Sequence, residues 1–433
     1  GSGRERFAGA VAKALGRAAL VIDPSALEGE VWSEAFIRAQ RFALAADMAL
    51  VWRPGERPWP RTVPLAPLQL ICVDAGRAAP VHSASADLSL ELTEASAAAK
   101  ARLWTGWAPH LHSVADRLAA TPGATLADLA ETARTVPASA EEALTQLRAR
   151  GRMRLAGAGE VIDPGFGWDD LILPAPTLAQ LRRIACEARL RPTLGERKMT
   201  ARLFRDRAGL AVLFSGPPGI GKSMAAQVIA KELGINLLRI DLAATTSKWI
   251  GETAKNLTAA FEAARYAGAA LLFEEADALF AKRGEVRDAN DRYANADTNH
   301  LLHLMEVSGV RAFLTSNRRA NIDPAFLRRL DHVVELERPG PAERRQLWAR
   351  LLGALGVDEE PLAGALHRLA ETLDLSPAQI KAATLGGWLT AREAERAIQP
   401  GDLEAAAAHE LAKEGRTPPP GERPRRRPGA SHG

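Results

Sequence analysis

The chain is poor in cysteine, in lysine and in long apolar runs. Two cysteines in 433 residues, Cys72 and Cys186, are too few for a disulfide framework or a thiolate-held metal cluster. They fit a reducing compartment, read here as the cytoplasm. No apolar stretch approaches the roughly 20 residues a membrane-spanning helix needs, so no membrane span is expected. The opening Gly1-Ser2-Gly3 reads as a cloning scar or a truncated start rather than a targeting segment. Lysine is scarce, 10 residues against 46 arginines, so a lysine at a motif position is seldom an accident. Positive charge is barely in excess, with a net of +4, which argues against a nucleic-acid surface. What is present is a 47% hydrophobic complement with 25% charged residues. That composition buries large cores, and the length implies two to four domains.

Composition shifts divide the chain. Residues 1–108 read as an α/β module without a phosphate loop, and 109–155 as its helical segment. A linker and entry helix occupy 156–200, with Gly151 to Asp170 the clearest linker. A large α/β domain spans 201–340, a helical domain 341–414, and an Arg/Pro-rich tail 415–433 that is expected to be disordered. Short apolar runs at Leu210–Phe214, Leu237–Ile240, Ala269–Phe273, Ala312–Thr315 and Val333–Leu336 alternate with amphipathic stretches such as Ser223–Leu233 and Ala254–Tyr266. This pattern predicts a parallel sheet covered on both faces. The first third also echoes the second half. Leu20–Asp23 resembles Leu238–Asp241, Ala49–Trp52 resembles Ala270–Phe273, and Ser89–Trp104 aligns with Val333–Trp348. The echoes keep their order while the offset grows, as in two tandem α/β modules with different loop lengths.

Ser215-Gly216-Pro217-Pro218-Gly219-Ile220-Gly221-Lys222-Ser223, with Met224 next, fits a phosphate loop between a predicted strand and a predicted helix. Glycines let the backbone approach phosphate oxygens, and the amides with the helix N-terminus supply positive potential. Lys222 adds a full charge at the terminal phosphates, and the Ser223 hydroxyl suits Mg²⁺. The run Ala269–Phe273 ends in Glu274-Glu275-Ala276-Asp277. One carboxylate there would hold the metal through its water, and the other would polarise an attacking water. The next strand ends in Asn317, whose amide suits a terminal phosphate and the same water.

Together these segments resemble the AAA+ ATPases. Ser215–Ser223 looks like Walker A, Leu271–Asp277 like Walker B, and Asn317 like sensor 1. Asn321–Arg329 resembles the arginine-finger segment, and Lys248-Trp249-Ile250 the first pore loop. Trp168–Pro174, Ser247–Leu257 and Lys282–Arg292 resemble a bacterial group whose first module is degenerate and whose members accompany contractile, phage-tail-like injection systems. The resemblance implies a P-loop NTPase sheet with a helical lid, preceded by a degenerate AAA-like module. It implies Mg²⁺ and ATP as ligands, with Gly216 to Met224 around the nucleotide and Ser223 with Glu274 at the metal. Glu275, Lys222, Asn317, Arg328 and Arg329 would serve hydrolysis. A homo-oligomeric ring, usually of six, would act on a protein substrate gripped by Lys248, Trp249 and Ile250. Lys381 falls where a second sensor would sit.

Two departures stand out. Glu274 occupies a position usually held by Asp, and its extra methylene moves the carboxylate by about 1.5 Å. Binding is expected to survive while turnover slows, since a small misplacement costs roughly 10²-fold. The first module carries Val51-Trp52-Arg53-Pro54 where acids belong, so no hydrolysis is expected there. The competing readings are a nucleotide-gated assembly scaffold with vestigial hydrolysis and, less favoured by charge, a nucleic-acid motor.

Overall fold

Short apolar strands build one parallel and one mostly parallel sheet in two compact units. The computed structural model describes residues 3–24, 32–53, 65–73, 88–90, 92, 95–191, 209–240, 252–276, 299–317, 322 and 324–416. One unit comprises Gly1–Ala120 with Ala124–Ala143, the other Thr121–Gly123 with Leu144–Gly433.

In the first unit, β1 (Ala19–Ile22), β2 (Ala49–Trp52) and β3 (Gln69–Ile71) form a parallel sheet in that order. Helices α1 (Arg4–Ala14) and α2 (Trp32–Ala45) supply apolar cover. β2 is buried throughout, and alternation sends Leu50 and Trp52 to one cluster with Phe36 and Val51 to another with Ala8. Trp52 stacks on Phe36 at 5.1 Å, filling the strand end where the sequence lacks its acids. Arg53, the next residue, pairs with Glu5 and Asp23. Helices α3 (Ala97–Trp107), α4 (Ala115–Ala119), α5 (Leu126–Arg134) and α6 (Ala140–Arg154) follow. A capping box between Thr125 and Asp128 starts α5.

In the second unit, β4 (Glu160–Ile162), β5 (Leu210–Ser215), β6 (Leu237–Ile240), β7 (Ala270–Phe273), β8 (Arg311–Ser316) and β9 (His332–Glu335) form one sheet. Its order is β4-β6-β7-β8-β5-β9, parallel except for the antiparallel edge strand β4. Helix α7 (Ala175–Leu190) precedes β5, α8 (Lys222–Leu233) follows it, and α9 (Glu252–Ala267) precedes β7. Alternation again sets the layers. Leu210, Val212 and Phe214 face a core with α7 and α8, whereas Ala211 and Leu213 face one with α9 and residues 299–307. A part-buried clamp ties α7 to the sheet: Arg191 bonds Glu187, the Gly209 carbonyl and Asp331, while His332 bonds Glu187 at 2.7 Å. Helices α10 (Pro341–Ala354), α11 (Ala363–Thr372), α12 (Pro377–Glu393) and α13 (Pro400–Lys413) enclose a separate core around Trp348. No helix among the described residues is long and apolar enough to cross a membrane.

The two sheets repeat one register. Leu20 faces Leu50 in the first, and Leu238 faces Leu271 in the second, the same residues the sequence echoes align. α3 and α10 begin at positions 244 residues apart. Trp104 and Trp348 occupy the same place in them, both fully buried and both with an indole N–H lacking an acceptor among the described residues.

Two expectations shift. The Gly151–Asp170 stretch is not a bare linker: it completes α6, supplies β4 and folds a turn at Trp168–Asp170. The boundary expected at 155 falls inside α6, after Ala143. The reason is polar. The Arg148 side chain donates to the Gly234 carbonyl, Asn236 donates to the Arg148 carbonyl, and Arg154 donates to Gly123. The candidate pore residues Lys248, Trp249 and Ile250, together with Asp277 and the arginine tail from 417, lie outside the described residues.

Candidate active site

In an open parallel sheet, ligands collect at the C-terminal strand edge where neighbouring connections diverge. β5 sits between β8 and β9, so its exit loop lies at such a point. That loop follows a path suited to glycine. Gly216, Gly219 and Gly221 have φ of 145°, 74° and 99°, and Gly221 caps α8 in the left-handed conformation. A β-carbon at Gly216 would sit 2.1 Å from the Leu336 carbonyl oxygen. Ile220 is buried and pins the loop, Pro218 is exposed, and Met224 packs partly against the α7/α8 core. The loop opens α8, a three-turn helix whose N-terminal amides and dipole favour an anion.

Side chains from the start of α8 and from three strands, β6, β7 and β8, converge there. Buried Lys222 donates from Nζ to the Gly216 and Pro217 carbonyls and to Asn317 Oδ1, each at 2.8 Å. The first turn of α8 is thereby joined to the end of β8. The Ser223 hydroxyl donates to Glu274 Oε1 at 2.5 Å, joining the same turn to the end of β7. Glu274 Oε2 lies 3.4 Å from the Arg239 guanidinium on β6. Glu275 is exposed and holds a φ of 52°, a left-handed conformation that costs a non-glycine residue about 1–2 kcal/mol. Thr315 fixes this turn: its hydroxyl accepts from the Glu275 amide at 3.3 Å and its carbonyl from Ala276 at 2.8 Å.

The helical domain touches the phosphate loop directly. Ala378, in the first turn of α12, donates its amide to the Gly219 carbonyl at 3.1 Å. Lys381 is exposed one turn further along. Arg328 and Arg329 are also exposed, and Arg329 lies 3.7 Å from Glu306. Neither arginine bonds to the Lys222 group among the described residues. The sequence reading missed Arg239, Thr315 and Ala378. Arg239 left a trace, being the single charge in an otherwise apolar strand.

The donor set suits a hard divalent cation, because Ser223 Oγ and Glu274 Oε1 already converge and both are oxygens. Residues 212–338 match the ATPase family associated with various cellular activities (AAA). The chain carries an AAA-family ATPase domain. Behind the AAA domain, residues 340–418 match the contractile injection system ATPase helical domain, which takes in α10 to α13. An uncharacterized AAA family ATPase, y4kL of Sinorhizobium fredii, is 32% identical over 42% of this chain and 53% of that protein. Proteasome-activating nucleotidase 1 of Halobacterium salinarum is 30% identical over 45% of this chain and 50% of its own length. Protein CdcH of the same organism is 33% identical over 38% of this chain and 22% of its own. The chain thus spans about half or less of these relatives. The FIGL-1 AAA domain solved in complex with ADP superposes with a TM-score of 0.45 at 22% identity, over 57% of this chain and 85% of that one.

Proposed function

We propose that the chain binds and hydrolyses Mg-ATP in a homo-oligomeric ring, a hexamer by the habit of its family, located in the cytoplasm. The cycle remodels or threads a protein, in the assembly or disassembly of a contractile injection system. The observation that carries this reading is the meeting of Lys222, Ser223, Glu274, Glu275 and Asn317 at one strand edge. The helical domain's family name supports the injection-system link. A relative named a nucleotidase supports hydrolysis.

The chemistry follows from the parts. Loop amides and the α8 N-terminus cradle phosphate oxygens. The Lys222 ammonium exchanges loop carbonyls for phosphate oxygens, which are stronger acceptors. Ser223 and Glu274 would hold the magnesium, which would offset charge on the phosphates. Exposed Glu275 takes the proton of the attacking water, and Asn317 orients that water. Arg328 and Arg329 reach the neighbouring subunit's terminal phosphate, a contribution worth roughly 10³–10⁵ in rate. Lys248, Trp249 and Ile250 grip the polypeptide through apolar area and stacking.

Glu275→Gln tests the assignment. It is expected to keep calorimetric nucleotide affinity while phosphate release falls by about 10²-fold or more. Equal losses of binding and turnover contradict it. Glu274 favours one second reading, an assembly scaffold gated by nucleotide with little hydrolysis. Under that reading, wild type binds tightly without phosphate release, and Glu274→Asp does not restore it.

A further inference from the structure

Glu274 brings one more rotatable bond to its position than an aspartate would. A longer arm is harder to fix in one geometry, and a misplaced carboxylate is costly in a positioned site. The structure contains a device that meets this difficulty. Arg239 lies on β6 opposite Glu160 of the antiparallel edge strand β4. Its two terminal nitrogens split between two acids: Nη2 is 2.7 Å from Glu160 Oε2, and Nη1 is 3.4 Å from Glu274 Oε2. Glu274 Oε1 meanwhile accepts from the Ser223 hydroxyl. A continuous line therefore runs Glu160–Arg239–Glu274–Ser223, from the sheet edge to the first turn of α8.

We infer that Arg239 is a positioning residue that tethers the Glu274 carboxylate by Oε2, so that Oε1 stays directed at Ser223 and the metal position. Glu160 anchors the other prong of the guanidinium. The planar fork explains why arginine suits this place: two prongs at fixed separation set an orientation that a point charge does not. The inference rests on the Mg-ATP reading and deepens it. The pair is part-exposed, with side-chain exposures of 41% for Arg239 and 33% for Glu274, so the effect is moderate.

The test is a calorimetric titration of a slowly hydrolysed ATP analogue into the full chain across a series of Mg²⁺ concentrations. Arg239→Met is expected to raise the half-saturating Mg²⁺ about fivefold, with affinity in excess chelator unchanged. Arg239→Lys recovers part of the loss. In a Glu274→Asp background, where the shorter arm needs no tether, Arg239→Met moves the Mg²⁺ requirement less than about twofold. A merely structural role shifts both backgrounds equally, and that result overturns the inference. So does a lowered Mg²⁺ requirement in Arg239→Met, which would mean that the guanidinium repels the cation rather than arranging its ligand. Wild type that binds no nucleotide at any Mg²⁺ concentration overturns the Mg-ATP reading itself.

Discussion

Two glycine substitutions separate backbone strain from steric overlap in the phosphate loop. Gly216→Ala and Gly221→Ala each force a residue with a β-carbon into positive φ, 145° and 99°, at about 1–2 kcal/mol apiece. They differ in what the new methyl meets. At Gly221 the nearest neighbour is Leu171 Cδ1 at 3.8 Å, an ordinary contact, whereas at Gly216 it is the Leu336 carbonyl oxygen at 2.1 Å and Ile220 Cδ1 at 2.5 Å. Neither backbone yields easily. The Gly216 amide donates to Ser316 and the Leu336 amide to Ser215, at 3.2 and 2.8 Å. Relief of the overlap therefore costs about 1–3 kcal/mol, plus about 1 kcal/mol for a strained or broken hydrogen bond. Gly216→Ala is expected to be less stable than Gly221→Ala by about 3 kcal/mol, or roughly 6–12 °C in Tm for a domain of this size. Thermal unfolding without nucleotide, followed by circular dichroism, measures the difference. Equal melting temperatures refute the reasoning, because they require the loop to move freely away from Leu336.

Other outcomes follow from single residues. Burial raises the Glu187 pKa, but the hydrogen bonds from Arg191 and His332 outweigh it and leave the carboxyl below its ordinary 4.5. Its stabilising contribution is thus present above that value and lost as pH falls through the lower folded pKa. The Tm advantage of wild type over Glu187→Gln should be full at pH 7 and fade below about pH 4.5; a constant gap contradicts this. Cys186 is exposed, whereas Cys72 is buried and its thiol pKa is raised by desolvation. An aromatic disulfide reagent should label one thiol quickly and Cys72 only on unfolding. Two equally fast thiols contradict the packing of the first unit. Trp348→Ala should destabilise the helical domain, whose core it centres, by about 3–5 kcal/mol, read as an early thermal transition; an unshifted melting curve contradicts this.

The legible parts of the fold were those that local pattern encodes. The strands β5 to β9 were visible because a sheet covered on both faces demands short, continuous apolar runs, and Leu237–Ile240 or Ala270–Phe273 are little else. The phosphate loop was visible because its glycines serve backbone geometry. β4 was hidden: three residues beginning with exposed Glu160, in a Gly-rich stretch, show no period. β3 lies in a short apolar run, Leu70 to Val73, that was not read as a strand. The tether through Arg239 required knowing that β6 neighbours both β4 and β7, a fact of topology rather than of spacing. Thr315 looked like any strand residue until the left-handed Glu275 turned out to need its hydroxyl. The boundary inside α6 depended on polar groups at Gly234 and Asn236, 86 and 88 residues from Arg148 in sequence.

The central claim is that Lys222 and its loop hold a triphosphate. Calorimetric titration of magnesium with a slowly hydrolysed ATP analogue tests it most directly, with Lys222→Ala beside the wild type. The account predicts saturable heat for the wild type and at least about tenfold weaker binding for the variant. No heat in the wild type, or identical isotherms for the two proteins, would contradict it.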